Sequence, residues 1–291
     1  QGGGLPAAEA ATLHFAGRPD VLLLGTQHWI QALGVVLGAA VLLATRVRPL
    51  VLAPCLSLLV LAPAFRSLVG TSLGDEALIL QFTVAAALAL VWLERRDPRL
   101  LALGALLLAG GTATKNEGLL LAVALLAGLL VAARTRAQAL LVVAAGVPAL
   151  LVRLLWSAWL SSHHAPSEAD YALGDIFRFG YLGDRSERLW TGMHGLVWAL
   201  LGWRWLLALP LLAAAMVAAG WLRPRLAGAV IVAGALMFLG YAAIYWISPL
   251  DIHFYIDSSA RRITTPIGVL AVLALPLLLG AGLQAVARRP R

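Results

Sequence analysis

The stretch Gly74-Asp75-Glu76-Ala77-Leu78-Ile79-Leu80-Gln81-Phe82-Thr83-Val84-Ala85-Ala86-Ala87-Leu88-Ala89-Leu90-Val91-Trp92-Leu93-Glu94-Arg95-Arg96 is an apolar run closed by charge at both ends. Residues 77–93 carry no ionisable side chain. As a helix they extend about 26 Å, close to the roughly 30 Å of a bilayer's hydrocarbon core. Leu and Ala dominate and apolar and polar residues do not alternate, so a transmembrane β-barrel is disfavoured.

Similar runs recur outward in both directions. Charges and prolines divide the chain into nine candidate spans at 21–44, 49–65, 76–93, 100–114, 118–133, 139–160, 196–221, 226–247 and 266–287. Of the 291 residues 61% are hydrophobic and 12% charged, with mean hydropathy +0.88. Soluble domains are nearer a quarter charged. The composition therefore predicts an all-α polytopic transmembrane bundle and excludes a soluble enzyme, a disordered chain and a disulfide-stapled domain. Cys55 is the single cysteine and has no internal partner.

The short connections fix an expected orientation. With the N-terminus outside and loops alternating, the inner side holds 12 basic residues and two acids, Glu94 and Asp97. Lys and Arg concentrate in cytoplasmic loops, and acids contribute little to that rule. The C-terminus is then cytoplasmic and the outer loops are 66–75, 161–195 and 248–265, with residues 1–20 an outer-side loop or amphipathic segment. The net charge of +8 is read as loop arginine, not as a nucleic-acid surface. No Gly-rich nucleotide loop, HExxH or CxxC is present in the sequence.

Four polar constellations face the outer side. Asp75 and Glu76 open the third span, where a first-turn acid suits the helix dipole; Asp75 could also face a metal, a sugar hydroxyl or a lysine. Thr114-Lys115-Asn116-Glu117-Gly118 joins two short spans of about 22 and 24 Å. That length holds Lys115 and Glu117 at the bilayer boundary, where charge is costly and read as functional. Lys115 could pair with Glu117, snorkel outward or meet a lipid phosphate. The loop 161–195 carries His163, His164, Glu168, Asp170, Arg185, Arg188, Tyr181 and Trp190, as a lid or a solvated loop. The fourth, Asp251-Ile252-His253 through Ser258-Ser259-Ala260-Arg261-Arg262, places two arginines before the last span, against the positive-inside trend. Arginine reads phosphate; the arginines could equally anchor the interface, and Ser258 or Ser259 could cap the last helix. Arg153 and Arg204 lie within spans and need a partner or a water path.

In this order these motifs resemble those of the GT-C integral-membrane glycosyltransferases, in particular bacterial relatives of protein mannosyltransferases and of the lipid A aminoarabinose transferase. Gly74-Asp75-Glu76-Ala77-Leu78 is similar to the family's second acidic motif. Thr114-Lys115-Asn116-Glu117-Gly118 is similar to its Thr-Lys motif, and His253 to Arg262 to its His…Ser-x-x-Arg segment. The resemblance covers residues 20–287. It implies inverting transfer of a sugar from a polyprenyl-phosphate donor to an acceptor on the extracytoplasmic face of a bacterial inner membrane. It assigns Lys115 with Arg261 or Arg262 to the donor phosphate, Asp75 as a supporting acid that positions donor, acceptor or a divalent ion, and Glu76, Glu117, His253, Ser258 and Ser259 to the substrate surroundings.

The family's catalytic base follows its first span. Here only Glu9 and Asp20 precede residue 21, and the chain opens on Gln1 without a signal peptide. The expectation is a chain carrying the donor-phosphate half, with further N-terminal spans or a partner subunit supplying the base. The competing readings are a transporter or flippase for a lipid-linked or anionic substrate, and a non-catalytic membrane subunit. Convergence of Asp75, Lys115 and Arg261 on one outer-facing cavity favours the transferase, whereas the three lying far apart or pairing elsewhere favours the non-catalytic subunit.

Overall fold

The computed structural model describes residues 14, 21–67, 74–164, 175, 177–201, 205 and 207–287. Glu9, Asp20, Glu168, Asp170 and Arg204 lie outside the described residues. Every regular element among the described residues is helical. In chain order they are α1 (Val21–Ala44), α2 (Pro49–Leu61), α3 (Pro63–Arg66), α4 (Gly74–Arg95), α5 (Pro98–Thr114), α6 (Glu117–Val131) and α7 (Arg136–Ser162). They continue with α8 (Phe179–Gly183), α9 (Ser186–Leu201), α10 (Ala208–Ala219), α11 (Pro224–Ile247), α12 (Ile252–Ile263) and α13 (Thr265–Ala287).

Five helical segments are long and apolar enough to cross a membrane: Gly25–Ala44, Gly74–Arg95, Arg136–Ser162, Pro224–Ile247 and Ile252–Ala285. Four further candidate spans correspond to shorter apolar helices at Pro49–Leu61, Pro98–Thr114, Glu117–Val131 and Ala208–Leu222. The helix starts follow from the sequence. Pro49, Pro98 and Pro224 each stand in a first turn, where a missing N–H costs nothing and φ is already helical. Asp97 and Thr135 add side-chain caps, accepting from the N–H groups of Arg99 and Gln138.

Helix α4 is the axis of the bundle. Of its apolar window 83% is buried, against 17% for α7. It packs against α1, α5 and α13. The face of α7 bearing Leu140, Val143, Val147, Leu151 and Leu155 is exposed, as expected of a helix facing lipid.

Small residues set the closest approaches, as they do between helices in membranes. A Cβ at Gly118 would stand 2.3 Å from the Gly111 carbonyl oxygen, so the α5–α6 hairpin closes only on glycine. A Cβ at Gly128 would stand 2.4 Å from the Ala229 carbonyl oxygen, which joins α6 to α11.

Two segments differ from the sequence expectation. The expected span 196–221 is two helices, α9 and α10. Helix α9 begins at Ser186, inside the expected outer loop 161–195. Its Leu189, Gly192, Met193 and Leu196 recur every three to four residues and turn one stripe to the core. Glu187 and Arg188 just before it, and Trp190, Thr191 and His194 between its members, disguise the stripe. The expected loop 248–265 is largely the amphipathic helix α12, capped by Asp251, whose Oδ1 accepts from the Phe254 N–H at 2.9 Å. Ser258 and Ser259 therefore lie inside α12 and cap nothing; both hydroxyls donate to the Tyr255 carbonyl.

Replacing Gly118 or Gly128 by Ala should destabilise the protein by about 1–3 kcal/mol each, the usual cost of overpacking. Gly234, whose Cβ position meets nothing within 4 Å, is the control and should tolerate Ala. Unfolding in mixed micelles measures all three; equal stability of all three contradicts the packing.

Candidate functional site

The first turn of α4, the α5–α6 turn and the last turn of α12 meet at one end of the bundle. Helix α4 starts beside Thr114: the Gly74 Cβ position lies 3.7 Å from the Thr114 side chain, an ordinary contact distance. Lys115 ends α5 in extended backbone, φ −154° and ψ 149°, with its N–H donating to the Gly111 carbonyl. Its Nζ donates to Asp75 Oδ1 at 2.7 Å and lies 3.3 Å from Glu117 Oε1. From the other side, Arg262 Nη1 donates to Asp75 Oδ2 at 2.6 Å. Residues 40 and 187 positions away thus share one carboxylate.

Exposure is graded across this cluster. The Asp75 side chain is 8% exposed, Lys115 23% and Arg262 33%. The anion lies behind and the cations in front. Arg262 also donates from Nε to the Ser258 carbonyl at 3.0 Å. Two of its five N–H groups are used among the described residues, so three remain for a ligand.

Each candidate residue now has a place. Of the two arginines, Arg262 reaches Asp75, whereas Arg261 is exposed and offers its carbonyl to Thr265. His253 and Ser258 are exposed on α12. Ser259 is buried and bonds the Tyr245 hydroxyl at 2.8 Å, tying α12 to α11. Glu76 is buried against His28 of α1, with Nδ1 to Oε2 at 2.6 Å. His163 stacks on Trp159 and bonds its carbonyl, an exposed helix end. Among the described residues no group of three His, Cys, Asp or Glu side chains gathers at metal-binding range. Asp75 and Glu117, both held by Lys115, are the carboxylates for which a divalent ion would compete with that lysine.

Three contacts were not anticipated from sequence. His28 is one; an ionisable side chain inside an apolar span was the available signal. Arg153 Nη1 donates to Asn116 Oδ1 at 2.5 Å, which answers its need for a partner and braces the Lys115 turn from α7. Arg185 and Arg188, expected in a lid or a solvated loop, cover the end of α11. Arg188 Nε donates to the Tyr245 carbonyl at 2.7 Å and Arg185 Nη1 to the Ser248 carbonyl at 3.0 Å. Cations suit the carbonyl end of a helix. That plug fixes the turn from which α12 departs, and so the approach of Arg262.

No family model, curated protein or solved structure matches this chain.

Asp75→Asn would leave the Lys115 and Arg262 charges without their shared counter-ion. Breaking a fully buried pair costs about 3–5 kcal/mol. Both cations keep solvent contact, so the expected loss is about 2 kcal/mol. A thermal-unfolding series in detergent checks it; an unchanged Tm contradicts the bridging role.

Proposed function

We propose that the chain forms the donor-phosphate part of a membrane glycosyltransferase of the GT-C type. It moves a sugar from a polyprenyl-phosphate carrier to an acceptor on the extracytoplasmic face. The observation that supports this most strongly is the pair of cations held on one buried carboxylate. Asp75 and Glu117 together balance the two charges, and Asp75 holds both cations in place. Both cationic side chains keep solvent contact. A lysine and an arginine fixed a few ångströms apart suit a phosphate's several oxygens.

In the reaction the acceptor hydroxyl oxygen attacks the anomeric carbon from the face opposite the phosphate, while a base in the acceptor part of the site takes its proton. The bond from that carbon to the phosphate oxygen breaks, and the oxygen leaves with the electron pair. Negative charge grows on the lipid phosphate, and preorganised cations act on growing charge. Lys115 and Arg262 do this work, Asp75 positions them, and Glu117 shares Lys115. Arg261, His253 and Ser258 lie on the exposed part of the same helix as Arg262 and meet the remainder of the donor. The orientation proposed with this reading places this end of the bundle outside, in a topology of nine spans.

The same ion pairs would also pin helices together in a non-catalytic subunit or a flippase. Activity separates them. In proteoliposomes supplied with polyprenyl-phosphate sugar, Lys115→Ala and Arg262→Ala should each lower transfer on the order of 100-fold, the loss typical of one charge-stabilising donor. Arg262→Lys should restore part of it, and Arg261→Ala should cost far less. Transfer unchanged in folded Lys115→Ala protein would remove this residue from the mechanism. Movement of the lipid between leaflets without sugar transfer would establish the flippase instead.

A further inference from the structure

The opposite end of the bundle holds a second concentration of charge. Asp75 and Glu94 stand nineteen residues apart on α4, about 28 Å along a helix. Around Glu94 opens a cavity of about 360 Å³ whose lining includes Arg46, Arg134, Arg223 and Arg225. Arg46, Arg134 and Arg223 come from three separate connections, α1 to α2, α6 to α7 and α10 to α11, and Arg225 from the first turn of α11. Glu94 is the one carboxylate in the lining, and Arg46 and Arg223 both pair with it. Arg134 and Arg225 are exposed and have no ion pair among the described residues. The lining therefore carries a net charge of +3.

We propose that this cavity binds a phosphoryl group, either the headgroup of an anionic lipid or a soluble phosphate compound. Loop arginines that only obey the positive-inside rule need not converge, because separation in water lowers their mutual repulsion. Here four of them surround one space of the size that binds small ligands. Basic pockets between membrane helices are known hosts for phosphate headgroups. A second observation lies beside the cavity. Arg96 takes a left-handed backbone, φ 56°, and lays its guanidinium over the Trp92 ring at 4.6 Å. Its Nη2 donates to the Ala132 carbonyl, yet its buried Nε and Nη1 have no hydrogen-bond partner. Burial and then the charges of Arg134 and Arg225 lower its pKa. An anion between these arginines would relieve that repulsion.

The test uses the full chain in phosphatidylcholine nanodiscs, titrated with inorganic diphosphate, and native mass spectrometry with added phosphatidylglycerol. Saturable diphosphate binding identifies a soluble ligand class. Retention of phosphatidylglycerol over phosphatidylcholine, without diphosphate binding, identifies the lipid headgroup. In either case the exposed double substitution Arg134→Gln with Arg225→Gln should weaken binding at least tenfold. Glu94→Gln should strengthen it several-fold by removing the competing carboxylate. Binding unaltered by the double substitution overturns the proposal, as does the absence of both diphosphate binding and phosphatidylglycerol retention. Loss of sugar transfer with this binding intact would bear on the Asp75 site alone.

Discussion

The bridge from Lys115 through Asp75 to Arg262 is the interaction on which the rest of the arrangement depends. Helix α4 is buried along nearly its whole length, so the charges at its ends cannot all turn to water. Asp75 is satisfied by cations brought from the α5–α6 turn and from α12. Glu94, at the other end, is satisfied by Arg46 and Arg223. Each carboxylate thereby ties α4 to two other segments. In a chain with only 12% charged residues, these few ionic contacts fix which helix ends share a face. Glycine contacts such as Gly118 on Gly111 then fix how closely the helices approach.

The two ends differ in balance. Around Asp75 the cations are offset by Asp75 and Glu117, and the site's character comes from geometry: a buried anion behind partly exposed cations. Around Glu94 the arginines outnumber the acid, and the character comes from net charge. The first arrangement suits recognition of a phosphate whose charge rises during a reaction. The second suits standing attraction for an anion. Burial of a charge is costly unless paired, and both ends show that pairing, but at the Glu94 end four arginines line one cavity around a single carboxylate.

The apolar helices were legible because their signal is long and uniform. The Asp75–Lys115 neighbourhood was legible in part: the short hairpin sets the depth of Lys115, and a lysine was one of three partners open to Asp75, but which helices adjoin was not in the sequence. Less legible were Ser186–Leu201 and Ile252–Ile263. Their charged residues read as loop, although the apolar positions between them follow a helical period. The choice between Arg261 and Arg262 was beyond sequence. Adjacent helical residues point about 100° apart, and only the packing of α12, fixed by Tyr245 on Ser259 and by the Arg185–Arg188 plug, sets which of them meets Asp75. His28 was passed over because its partner, Glu76, lies 48 residues away.

Lys115 is the only lysine in the sequence, so lysine labelled with ¹⁵N at Nζ gives one signal. Solid-state NMR of the labelled protein in bilayers containing polyprenyl phosphate measures dipolar coupling between that nitrogen and the lipid ³¹P. The account predicts clear dephasing of the Lys115 signal by phosphorus, lost when Arg262 is replaced by Ala. Full occupancy by the lipid with no Lys115 dephasing would contradict it.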